Sequence, residues 1–165
     1  NLVGNVSRTI ECWVISDATA NRQQLLGWGK NSNNTMFALE CGTPYSGTQN
    51  NICFHTYGNV MSSTTDTFTQ DIWHQCVITY EGGSVVNSST LKFYIDGEDA
   101  GYEIDFGSDG IALNTFNGYY KFGQRSLGAD LDFNGKLGTL LVYNKSLSEE
   151  EVRQNYNASK DRYTN

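Results

Sequence analysis

The chain has one proline, Pro44, and two histidines, His55 and His74, in 165 residues, and no apolar run approaches the length of a membrane span. A membrane-crossing helix is therefore not expected. Basic residues are also scarce. Eleven Lys and Arg stand against 18 Asp and Glu, giving a net charge of -7, and no basic cluster is longer than Lys160-Asp161-Arg162. A surface of that sign repels phosphate backbones, which argues against nucleic acid as a partner. Cys-x-x-Cys spacing, a glycine-rich phosphate loop and a nucleophile elbow are all missing, and with them the common zinc, nucleotide and serine-hydrolase motifs. The start, Asn1-Leu2-Val3-Gly4, has neither the basic n-region nor the apolar h-region of a signal peptide.

Aromatic residues make up 13% of the chain, and 17 glycines sit among many Thr, Ser and Asn residues. Together with short apolar runs, that composition favours an all-β domain with many turns. A chain of this length buries about two-thirds of its unfolded surface in one core, so residues 1–165 are read as one domain. Five Asn-x-Ser/Thr sequons occur, at Asn5, Asn33, Asn87, Asn144 and Asn157. Roughly three arise by chance in so polar a chain, so they do not establish secretion.

Alternation marks strands at Arg8 to Ile15, Leu25 to Gly29, Met36 to Cys41, Asn51 to Tyr57, Trp73 to Tyr80 and Asn117 to Gly123. Gly58 to Gln70 reads as a loop or an edge strand. Asp96-Gly97 after Leu91 to Ile95 predicts a type I′ hairpin with a return strand from about Glu98 to Ile104. Leu137 to Tyr143 reads as a central strand buried on both faces. One helix start is clear: Ser148 is an N-cap, Glu151 completes a capping box, and Leu147 can staple onto Val152. The four cysteines, Cys12, Cys41, Cys53 and Cys76, fall inside these strands and read as buried thiols, with a cross-strand Cys41–Cys53 disulfide as the alternative. About ten strands and one short C-terminal helix describe a two-sheet antiparallel jelly-roll sandwich.

Four stretches carry a family resemblance: Arg8 to Val14, Trp73 to Gly82, Phe93 to Gly97, and Phe133 to Tyr156. In this order they resemble the laminin-G-like domains of the concanavalin A-like lectin/glucanase superfamily. The resemblance covers nearly the whole chain and implies the same jelly roll. Such domains usually begin with a further strand, whereas only seven residues precede Arg8, so the chain is read as a piece of a larger protein. The Trp73-His74 pair is a fold marker in this family rather than a catalytic dyad.

The superfamily's glucanases use Glu-x-Asp-x-x-Glu, and the chain offers Glu103-Ile104-Asp105-Phe106-Gly107-Ser108, with Ser108 in place of the second glutamate. A retaining hydrolase needs two carboxyl groups about 5 Å apart, so no catalytic residue is assigned. Binding is the better expectation. Laminin-G-like domains bind glycans or proteins through rim loops, often around calcium, which takes oxygen ligands. For calcium the resemblance points to Asp130 and Asp132 with Asn134 nearby. For stacking on a pyranose and reading its hydroxyls, the candidates are Trp28, Tyr57, Tyr119, Gln124 and Arg125. The expected partner is a polysaccharide or glycoprotein glycan outside the cell. A structural or adhesion module of a virion, phage tail or cell surface, binding protein partners, is the alternative, and a glycoside hydrolase is a minor one.

Overall fold

The structure is a computed structural model and describes residues 2–16, 22–42, 51–64, 69, 71–83, 85–124 and 132–164. The alternating pattern of the first apolar run produces strand β1 (Arg8–Ser16), whose Ile10, Cys12 and Val14 enter the main core while Glu11 and Trp13 stay outside it. Strands β2 (Gln23–Gly29), β3 (Met36–Gly42), β4 (Asn51–His55), β5 (Val60–Ser62), β6 (His74–Tyr80) and β7 (Leu91–Ile95) follow. Asp96 and Gly97 then turn the chain into β8 (Glu98–Asp99) with φ values of 51° and 83°, the signs a type I′ turn requires. Strands β9 (Glu103–Phe106), β10 (Lys121–Phe122) and β11 (Gly135–Tyr143), the helix α1 (Glu149–Ser159) and a 3₁₀ turn over Lys160–Arg162 complete the order.

These strands form two antiparallel sheets, ordered β11-β1-β6-β7-β8 and β10-β2-β3-β4-β5-β9. One apolar core lies between them, built on residues such as Ile10, Leu39, Phe54, Ile78 and Phe93. This is the jelly-roll sandwich with a short C-terminal helix that the sequence predicts. Arg8 is fully buried in it, with its guanidinium 4.9 Å from the Phe37 ring centroid and donating to the carbonyls of Leu2, Gly4 and Val6. Burial pulls the group down to about 10, so it remains charged at neutral pH and fastens the N-terminal segment to the sandwich.

The helix begins as its sequence requires. The Glu151 N–H donates to Ser148 Oγ, and the Glu151 carboxylate accepts from the Ser148 N–H. Leu147 and Val152 then pack with Val77 and Tyr94 on the outer face of the five-stranded sheet.

Several expectations change: the strand expected over 117–123 forms only at Lys121–Phe122, and Val60–Ser62, in the stretch read as a loop or edge strand, lies between β4 and β9. Strand β11 is an edge strand, not a central one, and Leu137, Leu141 and Val142 are 38%, 40% and 40% exposed. Only Leu140 of this run packs against the main core. An apolar run reports how much a strand could bury, not how many neighbours it has. The return strand after Gly97 stops at Asp99, and the chain crosses to the other sheet before β9; Gly101 N–H donates to Asp99 Oδ1 at 2.7 Å in that crossing. For the cysteines the expected buried thiols hold and the alternative disulfide falls: Cys41 pairs with Ile52 and enters the core, whereas Cys53 pairs with Glu40 and stays outside it. The two side chains leave opposite faces of the sheet, which excludes the disulfide, and all four cysteines are buried free thiols. Among the described residues no helix is long and apolar enough to cross a membrane.

Candidate functional site

One end of the sandwich collects polar loops and exposed aromatic rings. Residues 30–35 join β2 to β3, residues 56–59 leave β4, and the chain returns along residues 114–118. Hydrogen bonds lock these segments together: Asn34 N–H donates to the Tyr57 carbonyl at 3.3 Å, Asn59 Nδ2 to Asn34 Oδ1 at 2.9 Å, and Phe116 N–H to the Thr35 carbonyl at 2.9 Å. Lys30 Nζ lies 3.3 Å from the Phe116 ring centroid, a cation–π contact that holds the loop against the return segment.

Tyr119 projects from that segment two residues before β10. Its ring is 90% exposed and lines an open cleft of about 390 Å³ together with Asn117 and Gly118. Tyr57 is 37% exposed. Because β10, β2, β3 and β4 are consecutive neighbours, Tyr119 and Tyr57 stand at the same end about 14 Å apart, or three strand spacings. Two aromatic faces at that separation, with the exposed amides of Asn33 and Asn117, suit an extended polar ligand better than a single small ring.

Trp28 is not part of this surface. It is 2% exposed, stacks on Phe37 with ring centroids 5.2 Å apart, and donates Nε1–H to the Leu2 carbonyl at 2.8 Å. Tyr120 covers it at 5.0 Å, so no indole face is left for a ligand. Trp28 alternates with Leu26 along β2 and shares its core-facing side, and that alternation was the available signal.

The described part of the acidic lead-in to β11, Asp132 with Asn134, sits at the other end of β10. Gln24 Nε2 donates to the Gln124 carbonyl at 2.9 Å, Phe133 N–H to the Gly123 carbonyl at 2.8 Å, and Asn134 N–H to Gln23 Oε1 at 2.7 Å. Asp132, Asn134 and the Gln124 side chain are exposed there, while Arg125 and Asp130 lie outside the described residues. The structure therefore separates Gln124, Asp132 and Asn134 from Tyr57 and Tyr119. Asp132 and Asn134 offer at most three side-chain oxygens, whereas calcium takes 6–8, and no group of three His, Cys, Asp or Glu residues that could hold a metal occurs among the described residues.

A polar row on the outer face of the six-stranded sheet escaped the sequence reading. Register aligns Glu40, Cys53, Ser62 and Glu103 across β3, β4, β5 and β9. The fully buried Glu40 carboxylate holds Arg22 Nη1 at 3.0 Å and His55 Nδ1 at 2.9 Å, while Ser62 Oγ donates to Glu103 Oε1 at 3.1 Å. Burial and the Glu40 charge push the Cys53 thiol well up. The available signal was a single glutamate inside the otherwise apolar run Met36 to Cys41. Glu40 and Glu103 stand about 14 Å apart along the row, beyond both the retaining and the inverting carboxyl separations. Strand β9 ends at Phe106, and Ser108 N–H donates to Asn59 Oδ1 in the turn beyond it, so the last position of the glucanase-like run is off the strand.

No curated protein is similar to this chain in sequence. Solved structures share its fold at low identity. The CBM40 of the Ruminococcus gnavus IT-sialidase, bound to α2,3-sialyllactose, is 12% identical with a TM-score of 0.69, covering 93% of this chain and 84% of its own. A heptameric SAP-like pentraxin from Limulus polyphemus is 14% identical with a TM-score of 0.67, covering 92% and 70%. Domain 4 of an extracellular arabinanase from Geobacillus stearothermophilus, in complex with arabinotriose, is 15% identical with a TM-score of 0.63, covering 93% and 68%. A laminin-G family model, described as the concanavalin A-like lectin/glucanases superfamily, matches residues 1–153, and the chain belongs to that family.

Proposed function

We propose that this chain is a non-catalytic carbohydrate-recognition module working outside the cell. The observation that carries this reading is Tyr119. A ring 90% exposed on an open cleft, with the Asn117 amide beside it, offers a stacking face and hydroxyl-reading groups in one place. Tyr57, on the same rim, extends the surface for a second contact. Structural neighbours bound to sialyllactose and arabinotriose support a glycan as the ligand class, and the arabinanase that carries one of them is extracellular. The separation of Glu40 from Glu103 supports binding without hydrolysis. Asp132 and Asn134 lie at the far end of β10, so recognition at Tyr119 does not run through a calcium ion held there.

A glycan array probed with the whole chain, with and without chelator, tests the reading. Binding to a defined set of glycans, unchanged by chelator and lost in Tyr119→Ala, is expected. No glycan signal at high protein concentration would overturn it, and loss of signal with chelator would move the site to the acidic lead-in.

A further inference from the structure

On the outer face of the five-stranded sheet, between β1, the β11 edge and α1, lies a cleft of about 180 Å³ that shares no described residue with the Tyr119 surface. Its lining includes Glu11, a residue only 3% exposed. Glu11 Oε1 accepts from Gln75 Nε2 at 2.9 Å, and Oε2 accepts from Asn155 Nδ2 at 2.8 Å and from the Tyr143 hydroxyl at 3.2 Å. All three donors are neutral, and among the described residues no cation lies within ion-pair distance of this carboxylate. Neutral donors replace only part of the hydration a buried charge gives up. A carboxylate offers about four lone-pair directions, so one remains for a ligand. The charge is felt next door, where burial and Glu11 push the Tyr143 phenol up to about 12.

The complementary charge lines the same cleft. Arg162, in the 3₁₀ turn after α1, is exposed, and its side chain makes no hydrogen bond or ion pair among the described residues. Trp13, Leu141 and Ala158 supply apolar lining. Among the described residues, Glu11 without a cation and Arg162 without an anion thus line one small cleft without pairing with each other. A bare amine entering it would meet Arg162 as a like charge, and a bare anion would meet Glu11. The volume equals that of about six waters, room for a few heavy atoms but not for a saccharide chain.

We propose that this cleft binds a small zwitterion of the α-amino acid class, with its ammonium on Glu11 and its carboxylate on Arg162. The site is independent of glycan recognition at Tyr119. The test is an NMR titration of the whole chain with alanine, ethylamine and acetate, followed at the Trp13 indole N–H, which donates to Ser159 Oγ at 3.1 Å beside the cleft. Alanine is expected to shift that signal and saturate in the millimolar range, with ethylamine and acetate at least tenfold weaker. Glu11→Gln and Arg162→Ala should each weaken alanine binding at least tenfold. Arg162 is exposed, so its replacement tests the site even where the Glu11 variant fails to fold. Absence of saturation by alanine, ethylamine binding as tightly as alanine, or unchanged affinity in Arg162→Ala would overturn the proposal.

Discussion

The Thr139 N–H donates to the Tyr163 hydroxyl at 2.8 Å, tying the end of the chain to the edge strand. Register explains why that amide needs a partner. Between Cys12 and Val14 the β1–β11 ladder slips, so that Gly138 and Thr139 face the single residue Trp13. Tyr163 fills the bulge. Its ring stacks on Trp13 with centroids 4.4 Å apart, and Tyr156 stacks on Trp13 at 5.7 Å. Gly138 makes room, because a Cβ there would come within 2.6 Å of the Tyr163 ring. Tyr163→Phe keeps the stack but leaves the Thr139 amide without its acceptor, and it should cost about 1 kcal/mol in urea denaturation. Gly138→Ala should cost more, since it displaces the ring as well. Equal midpoints for wild type and both variants would show that the bulge is stable without its plug.

The capping box makes helix α1 acid-sensitive. Lys145, by its hydrogen bond, and then the Ser148 backbone N–H hold the Glu151 carboxyl below the ordinary glutamate value. A carboxyl group depressed in the folded state adds stability that is fully present above its unfolded pKa and is lost as pH falls through the folded one. The Ser148 amide resonance should therefore move in the acid range, below the usual glutamate titration, and helical circular dichroism should fall with it. In Glu151→Gln that acid step should vanish. A Ser148 amide that titrates identically in the variant would place the acid sensitivity elsewhere.

Burial also controls the cysteines. Cys12, Cys53 and Cys76 are fully buried, and burial pushes all three thiols well above their ordinary value. With Cys41 and Cys53 on opposite faces of the sheet, no disulfide joins them. Iodoacetamide at neutral pH should leave the folded chain unmodified by mass spectrometry and should label four sites after denaturation. Labelling of the native chain would mean that local opening exposes a strand interior.

Local chemistry carried much of this architecture. The Asp96-Gly97 turn, the Ser148–Glu151 box and the alternation of β1 and β6 each depend on neighbours within a few residues, and each forms as its sequence demands. What the pattern could not report was long-range partnership. Leu137 to Tyr143 looks like a central strand because an edge strand capped by Tyr163 and flanked by α1 needs apolar residues too. Glu40 looks solvent-exposed by residue type, and its burial depends on Arg22 and His55 arriving from two other strands or loops. Among the candidate sugar contacts, Trp28 and Tyr119 have similar aromatic character and opposite fates, because Trp28 lies on the core-facing side of β2 whereas Tyr119 precedes β10 outside any strand.

That contrast gives the sharpest mutational test of the binding surface. Trp28 is packed among Phe37, Tyr120 and Arg8, so Trp28→Ala should destabilise the fold by about 3–5 kcal/mol through lost transfer energy and the cavity left behind. Thermal unfolding should record the loss. Tyr119 is almost wholly in solvent, and its replacement removes no core contact, so Tyr119→Ala should leave the melting temperature nearly unchanged. Glycan affinity should behave in the opposite way, falling at least tenfold in Tyr119→Ala under conditions where the fold is intact. Tyr119→Phe, which keeps the stacking face, should retain most of it. If Tyr119→Ala binds as well as the wild type, the ring is an exposed residue without a ligand, and the recognition surface lies on another face of the sandwich.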